Sequence, residues 1–387
     1  MKTEHKTIFA DSRRMQGLSD ESVDLMVTSP PYPMIEMWDD LFSEQSSLVK
    51  KQLKKGDGSG AYESMHKILD ATWKEAYRVL KPGGFACINI GDATRTINGN
   101  FALYTNHARI LKFTQELGFS SLPCILWRKQ TNAPNKFMGS GMLPAGAYVT
   151  LEHEYILILR KGSKREFKNE TDKKHRRASA LFWEERNLWF SDIWFDIKGT
   201  QQALNDKDTR KRSAAYPFEL AYRLINMYSV KGDLVLDPYL GMGTTISAAI
   251  ASGRNSVGYE IENTLQDANS RSKNAIIEIS RQIISQRLVN HLAFVFQRIK
   301  SKGKLKYDNV HYGFPIMTAQ EKELLINEPL NIKTIEENLS IVDYSLVAQQ
   351  EFCKDWSKIY LEEKKNFIIE NLKDQVLGKN FKQKSLF

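Results

Sequence analysis

The chain has 387 residues, of which 42% are hydrophobic and 26% charged, a composition typical of globular proteins with one large core or two domains. No apolar run approaches the roughly 20 residues that a membrane-spanning helix needs, and residues 1–6 lack the apolar segment of a signal peptide. The three cysteines (Cys87, Cys124 and Cys353) are widely spaced without a metal-ligand pattern, which predicts reduced thiols, no metal site and a cytoplasmic protein. The formal net charge of +9 favours a polyanionic partner, although many basic proteins bind no nucleic acid.

The first half of the chain alternates between strand-like and helix-like segments. Apolar runs typical of buried strands lie at 7–10, 23–27, 85–90, 122–127 and 154–159. Other segments are predicted as a polar helical link (12–22), a mobile surface loop (44–60) and amphipathic helices (65–80 and 105–117). Strands and helices that alternate in this way predict an α/β fold with a mainly parallel sheet.

Residues 160–177 carry nine Lys or Arg residues and three acidic residues, with no apolar period. Six aromatic residues follow this run: Phe182, Trp183, Trp189, Phe190, Trp194 and Phe195. A solvated charged loop explains the basic run by itself. Basic and aromatic residues that alternate in an insertion are also typical of a nucleic-acid contact, with candidate contacts at Lys173, Lys174, Arg176 and Arg177.

The second half begins with a helix predicted from Pro217, since proline favours the first helical position. A strand then ends at Asp237 and is followed by a glycine-containing loop, a helix over 244–251 and a strand that ends at Glu260. Beyond residue 262, the pattern predicts helices over 265–298 and 318–373.

The unit from Asp237 to Glu260 is a nucleoside-binding arrangement, because glycines allow a ligand to approach the backbone and a later acid accepts hydrogen bonds from ribose hydroxyls. It contains Gly241 and Gly243, but Ile246 stands where a dinucleotide motif has its third glycine, and no Gly-Lys pair follows as in a phosphate-binding loop. The unit therefore suits a nucleoside without pyrophosphate. S-adenosylmethionine fits, with Glu260 on the ribose and Asp237 near a cationic or amino group. A tight turn without a ligand is the alternative.

The sequence Thr28-Ser29-Pro30-Pro31-Tyr32 follows the strand predicted over 23–27. Two consecutive prolines stiffen the loop and remove two backbone donors. A hydroxyl, a free carbonyl and an aromatic ring are thus expected close together. This combination suits a flat group that carries an amine.

These two motifs together resemble the amino-methylating DNA methyltransferases, which methylate an exocyclic base nitrogen. The resemblance covers about residues 5–262, with 28–32 as the catalytic tetrad segment and 237–245 as the cofactor loop; the other matching segments are 78–84, 216–220 and 258–260. The motif order is similar to the circularly permuted beta class. The resemblance implies a class I S-adenosylmethionine-dependent methyltransferase fold, with a seven-stranded, mostly parallel sheet and double-stranded DNA as substrate.

The resemblance also implies roles for particular residues. The catalytic residues would be Ser29, Pro30, Pro31 and Tyr32. The cofactor residues would be Asp11, Tyr216, Pro217, Asp237, Tyr239, Gly241, Gly243, Thr244, Thr245 and Glu260. The domain order would be a catalytic half (1–161), a target-recognition insertion (162–212), a cofactor-binding half (213–264) and a mostly helical extension (265–387).

Serine at position 29 bears on the substrate, because in the resembling family serine goes with cytosine N4, and aspartate or asparagine with adenine N6. The expected function is therefore a cytosine-N4 DNA methyltransferase, with a restriction endonuclease as a candidate partner. An N6-adenine methyltransferase of the same fold, a DNA-binding regulator with an inactive fold, and an RNA or small-molecule methyltransferase are the alternatives. Cys124 lies within an apolar run, and an amine target needs no covalent nucleophile, which excludes carbon-5 methylation.

Overall fold

The computed structural model describes residues 1–129, 138–198, 216–353 and 358. The helices of this part are α1 (Asp39–Gln45), α2 (Ser47–Lys55), α3 (Gly58–Val79), α4 (Asn106–Glu116), α5 (Glu170–Ala178), α6 (Trp183–Trp189), α7 (Phe218–Tyr228), α8 (Thr244–Ser252) and α9 (Gln266–Lys302). Its strands are β1 (Lys2–Phe9), β2 (Val23–Thr28), β3 (Leu80–Ile90), β4 (Ala93–Ile97), β5 (Asn100–Tyr104), β6 (Phe119–Arg128), β7 (Met138–Gly139), β8 (Ala147–Tyr148), β9 (His153–Lys161), β10 (Ile193–Trp194), β11 (Leu234–Asp237), β12 (Asn255–Glu260), β13 (Tyr307–Asp308), β14 (Pro315–Ile316), β15 (Pro329–Glu336) and β16 (Leu339–Tyr344).

The main sheet has the strand order β10-β6-β9-β3-β2-β11-β12-β1-β16-β15. From β6 to β1 the strands run parallel except β9, which is antiparallel to both β3 and β6. These seven strands confirm the predicted mostly parallel α/β fold. Strand β10 extends one edge of the sheet, and the hairpin β15–β16 extends the other.

Strands β2 and β11 are neighbours in the sheet although some 200 residues separate them in the chain. Leu25 and Met26 pair with Val235 and Leu236 in parallel register. From this pair the chain continues outward in opposite directions, from β2 to β3 and from β11 to β12. Such a reversal of strand order opens a crevice at the carboxyl ends of the strands, where α/β proteins bind ligands.

The sheet separates two apolar cores, and every residue of β2 is buried, as expected for a central parallel strand. On one face, Leu25 and Val27 pack in a cluster with residues of α7 and α8. On the other face, Met26 packs in a cluster with residues of α3 that include Trp73. Strand β2 is therefore packed on both of its faces.

The predictions for two N-terminal segments were wrong. Residues 12–22 form turns instead of a helix, and most of 44–60 is helical instead of a loop. In the second segment Gly56 ends α2 in the left-handed conformation (φ = 72°), and the Asp57 side chain accepts a hydrogen bond from the Gly60 backbone nitrogen at 2.9 Å at the start of α3. Gly56 is thus a helix C-cap and Asp57 a helix N-cap. Both residue types are also common in flexible loops, so the sequence pattern was misleading.

The prediction of helices over 318–373 was also wrong for the part that the structure describes. Residues 318–353 contain β15, β16 and two short 3₁₀ turns. Burial in β16 alternates, with Ser340, Val342 and Tyr344 inward, which is the period of a strand. The remainder of 318–373, apart from residue 358, lies outside the described residues.

In the part of the chain that the structure describes, no helix combines the length and the hydrophobicity needed to cross a bilayer.

Candidate active site

The carboxylate of Asp237, at the end of β11, is the centre of a buried hydrogen-bond network. Oδ1 accepts from the Thr28 hydroxyl at 2.6 Å and from the Tyr239 backbone nitrogen at 3.0 Å. Oδ2 accepts from the Tyr216 hydroxyl at 3.3 Å and from the Thr245 hydroxyl, which also contacts Tyr216. Burial raises the pKa of Asp237, and the four donors oppose this shift. Both carboxylate oxygens thus bind protein groups, so Asp237 ties the end of β2 to the loop that follows β11.

The loop after β11 has the backbone geometry of a ligand cradle. Gly241 (φ = 53°) and Gly243 (φ = 83°) both lie in the left-handed region that glycine favours. A Cβ atom on Gly241 would meet no heavy atom within 4 Å, so the backbone there is open to a ligand. Gly243 caps α8, whose first residue is the half-buried Thr244.

Glu260, at the end of β12, faces this loop. Its Oε2 accepts from the Gly241 nitrogen at 2.8 Å and its Oε1 from the Glu262 nitrogen at 2.9 Å. Burial raises the pKa of Glu260. A carboxylate has about four acceptor positions, so both oxygens can also accept from the hydroxyls of a ribose. The residues present therefore fit a nucleoside.

The remaining predicted cofactor residues lie around this loop. Asp11 follows β1, whose Phe9 pairs with Glu260 in parallel register. Asp11 therefore lies, like Glu260, at the carboxyl ends of the parallel strands. Burial opposes ionisation of Asp11, but hydrogen bonds from Arg13, one of them 2.8 Å from Nε to Oδ2, lower its pKa. The Tyr239 hydroxyl donates to Thr72 at 2.9 Å, which fixes its ring beside α3. Pro217 is buried at the N-cap of α7.

The predicted catalytic residues follow β2 directly. Ser29 is half-buried, and its Oγ lies 3.1 Å from the Tyr32 hydroxyl. That hydroxyl donates to Oε2 of Glu154 at 2.9 Å and accepts from Nδ2 of Asn89 at 2.8 Å. Burial, followed by the Glu154 charge, raises the pKa of Tyr32 well above its ordinary value. Lys129 Nζ lies 2.8 Å from Oε1 of Glu154.

Sequence reasoning missed Asn89, Lys129 and Glu154. Asn89 interrupts an apolar run, and a polar residue inside a buried strand was the one available signal. Glu154 reaches the site because β9 is antiparallel, so that its first residues lie at the carboxyl ends of the parallel strands. Local sequence patterns do not contain that pairing.

A second buried contact supports the loop after Tyr32. Nδ2 of Asn106 donates to the Pro33 carbonyl at 3.1 Å and to the Gly91 carbonyl at 3.0 Å. Its Oδ1 accepts from Nε2 of His66 at 3.0 Å, and burial lowers the pKa of His66 to about 4. A neutral histidine thus orients the amide that holds the predicted catalytic segment against the end of β3.

The structure does not bring the predicted DNA contacts to this site. Lys173, Lys174, Arg176 and Arg177 all lie on α5. The chain before α5 is bound to the start of β11, where Arg165 contacts Asp233 at 2.7 Å. The residue after α5, Ser179, accepts a hydrogen bond from the Lys231 nitrogen at 3.0 Å. Helix α5 therefore lies at the amino ends of the parallel strands, whereas Ser29 lies at their carboxyl ends.

The aromatic residues after the basic run divide into two groups. Phe182, Trp189 and Trp194 are buried in apolar cores, so their spacing reflects packing and the nucleic-acid interpretation was wrong for them. Trp183, Phe190 and Phe195 are exposed. Most of Phe195 is accessible (63%), directly after the edge strand β10. The part of the predicted insertion from 199 to 212 lies outside the described residues.

No group of His, Cys, Asp and Glu side chains in the described ranges has the arrangement of a metal site.

Comparison with known proteins gives concordant matches. Residues 23–271 match the family model of N6 and N4 methyltransferases described as DNA methylase. The chain is 51% identical over 339 residues to the Type II methyltransferase M.MthZI of Methanothermobacter thermautotrophicus, which covers 87% of this chain and 94% of the relative. It is 50% identical over 275 residues to the Type II methyltransferase M.MjaI of Methanocaldococcus jannaschii, which covers 68% and 89% respectively.

A solved structure also matches. TTHA0409 of Thermus thermophilus, a candidate DNA modification methylase complexed with S-adenosyl-L-methionine, superposes with a TM-score of 0.55 at 30% identity. The match covers 70% of this chain and 94% of that protein.

Proposed function

The chain belongs to the DNA methylase family of N6 and N4 methyltransferases and depends on S-adenosylmethionine; from this membership we propose that it methylates the exocyclic N4 of a flipped cytosine in double-stranded DNA. The observation that carries the proposal is a serine, instead of an aspartate or asparagine, at position 29 beside the cofactor loop. Its half-buried hydroxyl follows β2, and the neighbouring Thr28 is bonded to Asp237 at the start of the cofactor loop. The amine acceptor and the cofactor loop thus share one crevice.

The cofactor is assigned to the cradle formed by Gly241, Gly243 and Glu260, with Asp11 also at the carboxyl ends of the parallel strands. When bound there, S-adenosylmethionine supplies an electrophilic methyl group on a sulfonium. Glu260 would accept hydrogen bonds from the ribose. Asp237, Tyr216 and Thr245 act indirectly, since they bind one another and hold the loop in shape.

The protein must make an exocyclic amine reactive, because the lone pair of such an amine is delocalised into the ring of the base. Ser29 Oγ and the Pro30 carbonyl would accept its two hydrogens and favour a tetrahedral nitrogen. Pro31 stiffens the segment, and the Tyr32 ring would stack on the base. The remaining contribution is positioning.

The base must leave the duplex to reach this pocket, at a cost of a few kcal/mol that stacking and backbone contacts offset. We assign target recognition to the insertion over 162–212. Strand β10 runs parallel to β6, so its last residue lies toward the carboxyl ends of the strands, where Ser29 also lies. The exposed Phe195 directly follows β10. Phe195 is therefore better placed for base contacts than α5.

Three further parts of the proposal concern the class, the biological system and the compartment. The catalytic strand β2 precedes the cofactor strand β11 in the chain while lying beside it in the sheet, which supports membership of the circularly permuted beta class. Two relatives are named Type II methyltransferases, which supports a restriction-modification system with a cognate endonuclease. Cys87, Cys124 and Cys353 are all described and form no disulfide with one another, which supports a cytoplasmic protein.

Nucleoside mass spectrometry of DNA incubated with the protein and S-adenosylmethionine tests the substrate base. N4-methylcytosine is the expected product. N6-methyladenine without N4-methylcytosine would establish the alternative, an N6-adenine methyltransferase of the same fold. Absence of any methylated nucleoside from DNA, with methyl transfer to RNA or small molecules instead, would overturn the proposal as a whole. Sequencing the methylated DNA gives the context of the target base.

A further inference from the structure

The carboxylate of Glu154 is surrounded by hydrogen-bond donors. It is 8% exposed and lies at the start of β9. Oε2 accepts from the Tyr32 hydroxyl at 2.9 Å and from Asn89 Nδ2 at 2.7 Å, and Oε1 accepts from Lys129 Nζ at 2.8 Å. Both oxygens of Glu154 are therefore acceptors in this network.

The amide of Asn89 has one favourable orientation. With Nδ2 toward Glu154 and Tyr32, it donates to both. The reverse orientation would place its carbonyl oxygen 2.7 Å from a carboxylate oxygen, with no hydrogen between them. The Tyr32 oxygen is thus an acceptor toward Asn89, and its single hydrogen is directed to Glu154.

This arrangement fixes the hydroxyl hydrogen of Ser29. Ser29 Oγ and the Tyr32 hydroxyl lie 3.1 Å apart, and either could in principle donate. Because the only hydrogen of Tyr32 is already used on Glu154, Ser29 must donate and Tyr32 must accept. One lone pair of Ser29 Oγ faces Asn89 Nδ2 at 3.5 Å, and the other remains available to a group that brings hydrogens of its own.

We infer that Glu154 is a positioning residue that, through the Tyr32 hydroxyl, holds Ser29 Oγ as a hydrogen-bond acceptor toward the exocyclic amine of the target base. An amine that must lose electron delocalisation offers hydrogens, and a serine that pointed its own hydrogen at the amine would oppose the approach. Glu154 removes that orientation before the base arrives. The inference rests on the proposed role of Ser29, but it applies equally to an amine on cytosine or on adenine.

The primary test is Glu154→Leu, which removes both acceptor oxygens at a similar volume, so that Ser29 Oγ becomes the acceptor for the Tyr32 hydrogen and both hydroxyls reverse. We expect the single-turnover methyl-transfer rate constant to fall on the order of 100-fold. The dissociation constants for S-adenosylmethionine and DNA should stay within about two-fold, because the network contacts the base only through Ser29 and Tyr32. The matched control is Glu152→Leu, since this carboxylate is close in sequence but pairs with Arg128 at 3.0 Å instead. A Glu154→Leu variant with the wild-type rate would overturn the inference.

A double-mutant comparison separates positioning from a general structural role. In a Tyr32→Phe background the hydroxyl that transmits the effect is absent, so adding Glu154→Leu should change the rate less than about two-fold. An equal loss in both backgrounds contradicts the inference. Tyr32→Phe alone should be slow although its ring can still stack, and a wild-type rate for it would also refute the mechanism, even if Glu154→Leu did not fold.

The proposed function and this inference fail in different ways. The rates are measured on whichever base the wild-type protein methylates, so methylation of adenine removes the cytosine proposal and leaves the Glu154 comparison intact. An unchanged rate in Ser29→Ala would remove the role of Ser29 itself. A slow Ser29→Ala together with a normal Glu154→Leu would remove only the inference about Glu154.

Discussion

Oγ1 of Thr28 donates a 2.6 Å hydrogen bond to Oδ1 of Asp237, from the end of one central strand to the end of its neighbour. The residue after Thr28 is the proposed amine acceptor, and the residues after Asp237 form the cofactor loop. This contact therefore links the two halves of the reaction site at the ends of two paired strands. Since Asp237 is 1% exposed, loss of a donor there cannot be replaced by bulk water.

Thr28→Val tests this contact because it removes the hydroxyl and keeps the branched shape. We expect unfolding to require about 1–3 kcal/mol less free energy, as for a buried acceptor that loses its partner. Methyl transfer should also slow, because the strand ends are no longer tied. Urea denaturation measures the first effect and single-turnover kinetics the second. Thr28→Ser keeps the donor and should retain most of both; if both variants behave alike, the hydroxyl is not the linking group.

Ser29→Ala should lose most methyl transfer while cofactor binding stays near the wild-type value. The side chain is assigned to the base, and the cofactor cradle is formed by residues beyond Asp237. Calorimetric titration with S-adenosylmethionine and radiolabelled methyl transfer to DNA measure the two quantities separately. Unchanged turnover would exclude Ser29 from the mechanism.

Burial of His66 predicts a pH dependence of stability. Its pKa is lowered from 6.5 to about 4, so between these values the unfolded chain binds a proton that the folded chain does not. This contribution to stability is complete above pH 6.5 and is lost as the pH falls toward 4, by up to about 3 kcal/mol.

His66→Gln should remove this component, since glutamine does not titrate and its amide can still donate to Asn106. Denaturant unfolding of both proteins between about pH 4 and 7.5 measures the difference. The gap in stability between the variant and the wild type should narrow toward acid. A constant gap over the whole range would show that His66 does not titrate as its burial requires.

The role of α5 is decided by the salt dependence of DNA binding. The basic run predicts that neutralising Arg176 and Arg177 makes this dependence shallower, because fewer counterions are released. The position of α5 at the ends of the strands opposite Ser29 predicts no change in the salt dependence. Arg177 also pairs with Glu323 at 2.9 Å, and the Arg176 guanidinium packs on Phe167.

We expect the second outcome for Arg176→Gln combined with Arg177→Gln. Fluorescence anisotropy at several salt concentrations gives the slope for the variant and the wild type. A slope reduced by about one or more would restore α5 as a phosphate contact.

The central sheet was predictable because its strands are continuous apolar runs followed by glycine, proline or acidic residues. Asp237 and Glu260 end their strands as expected, and the reversal of strand order places Asp237 beside Thr28, the residue before Ser29. The support for the site was not predictable. Glu154 is 122 residues from Tyr32, and only the antiparallel direction of β9 brings them within a hydrogen bond. Side-chain pairs at that separation leave no local period in a sequence.

The aromatic residues after the basic run show the opposite case, in which a pattern had two physical causes. Trp189 and Trp194 are large apolar side chains that a core requires, and their proximity to basic residues carried no information about a ligand. Burial decides between the two interpretations, and composition alone does not. The hairpin β15–β16 was missed because most residues of its outer strand are exposed and form no continuous apolar run.

Strand β1 has a consequence for how the chain is made. Its partners in the sheet are β12 and β16, so roughly 250 residues must be synthesised before β1 can pair at all, which takes about 12–50 s at 5–20 residues per second. During that time the strand is an open edge on the nascent chain. Its inward residues are Thr3, His5 and Thr7, which are polar, and its outward residues include Lys2, Glu4 and Lys6. This pattern makes the waiting segment a poor template for aggregation, and its hydrogen bonds to Ser256 and Tyr344 satisfy the polar face only after those later strands have been synthesised.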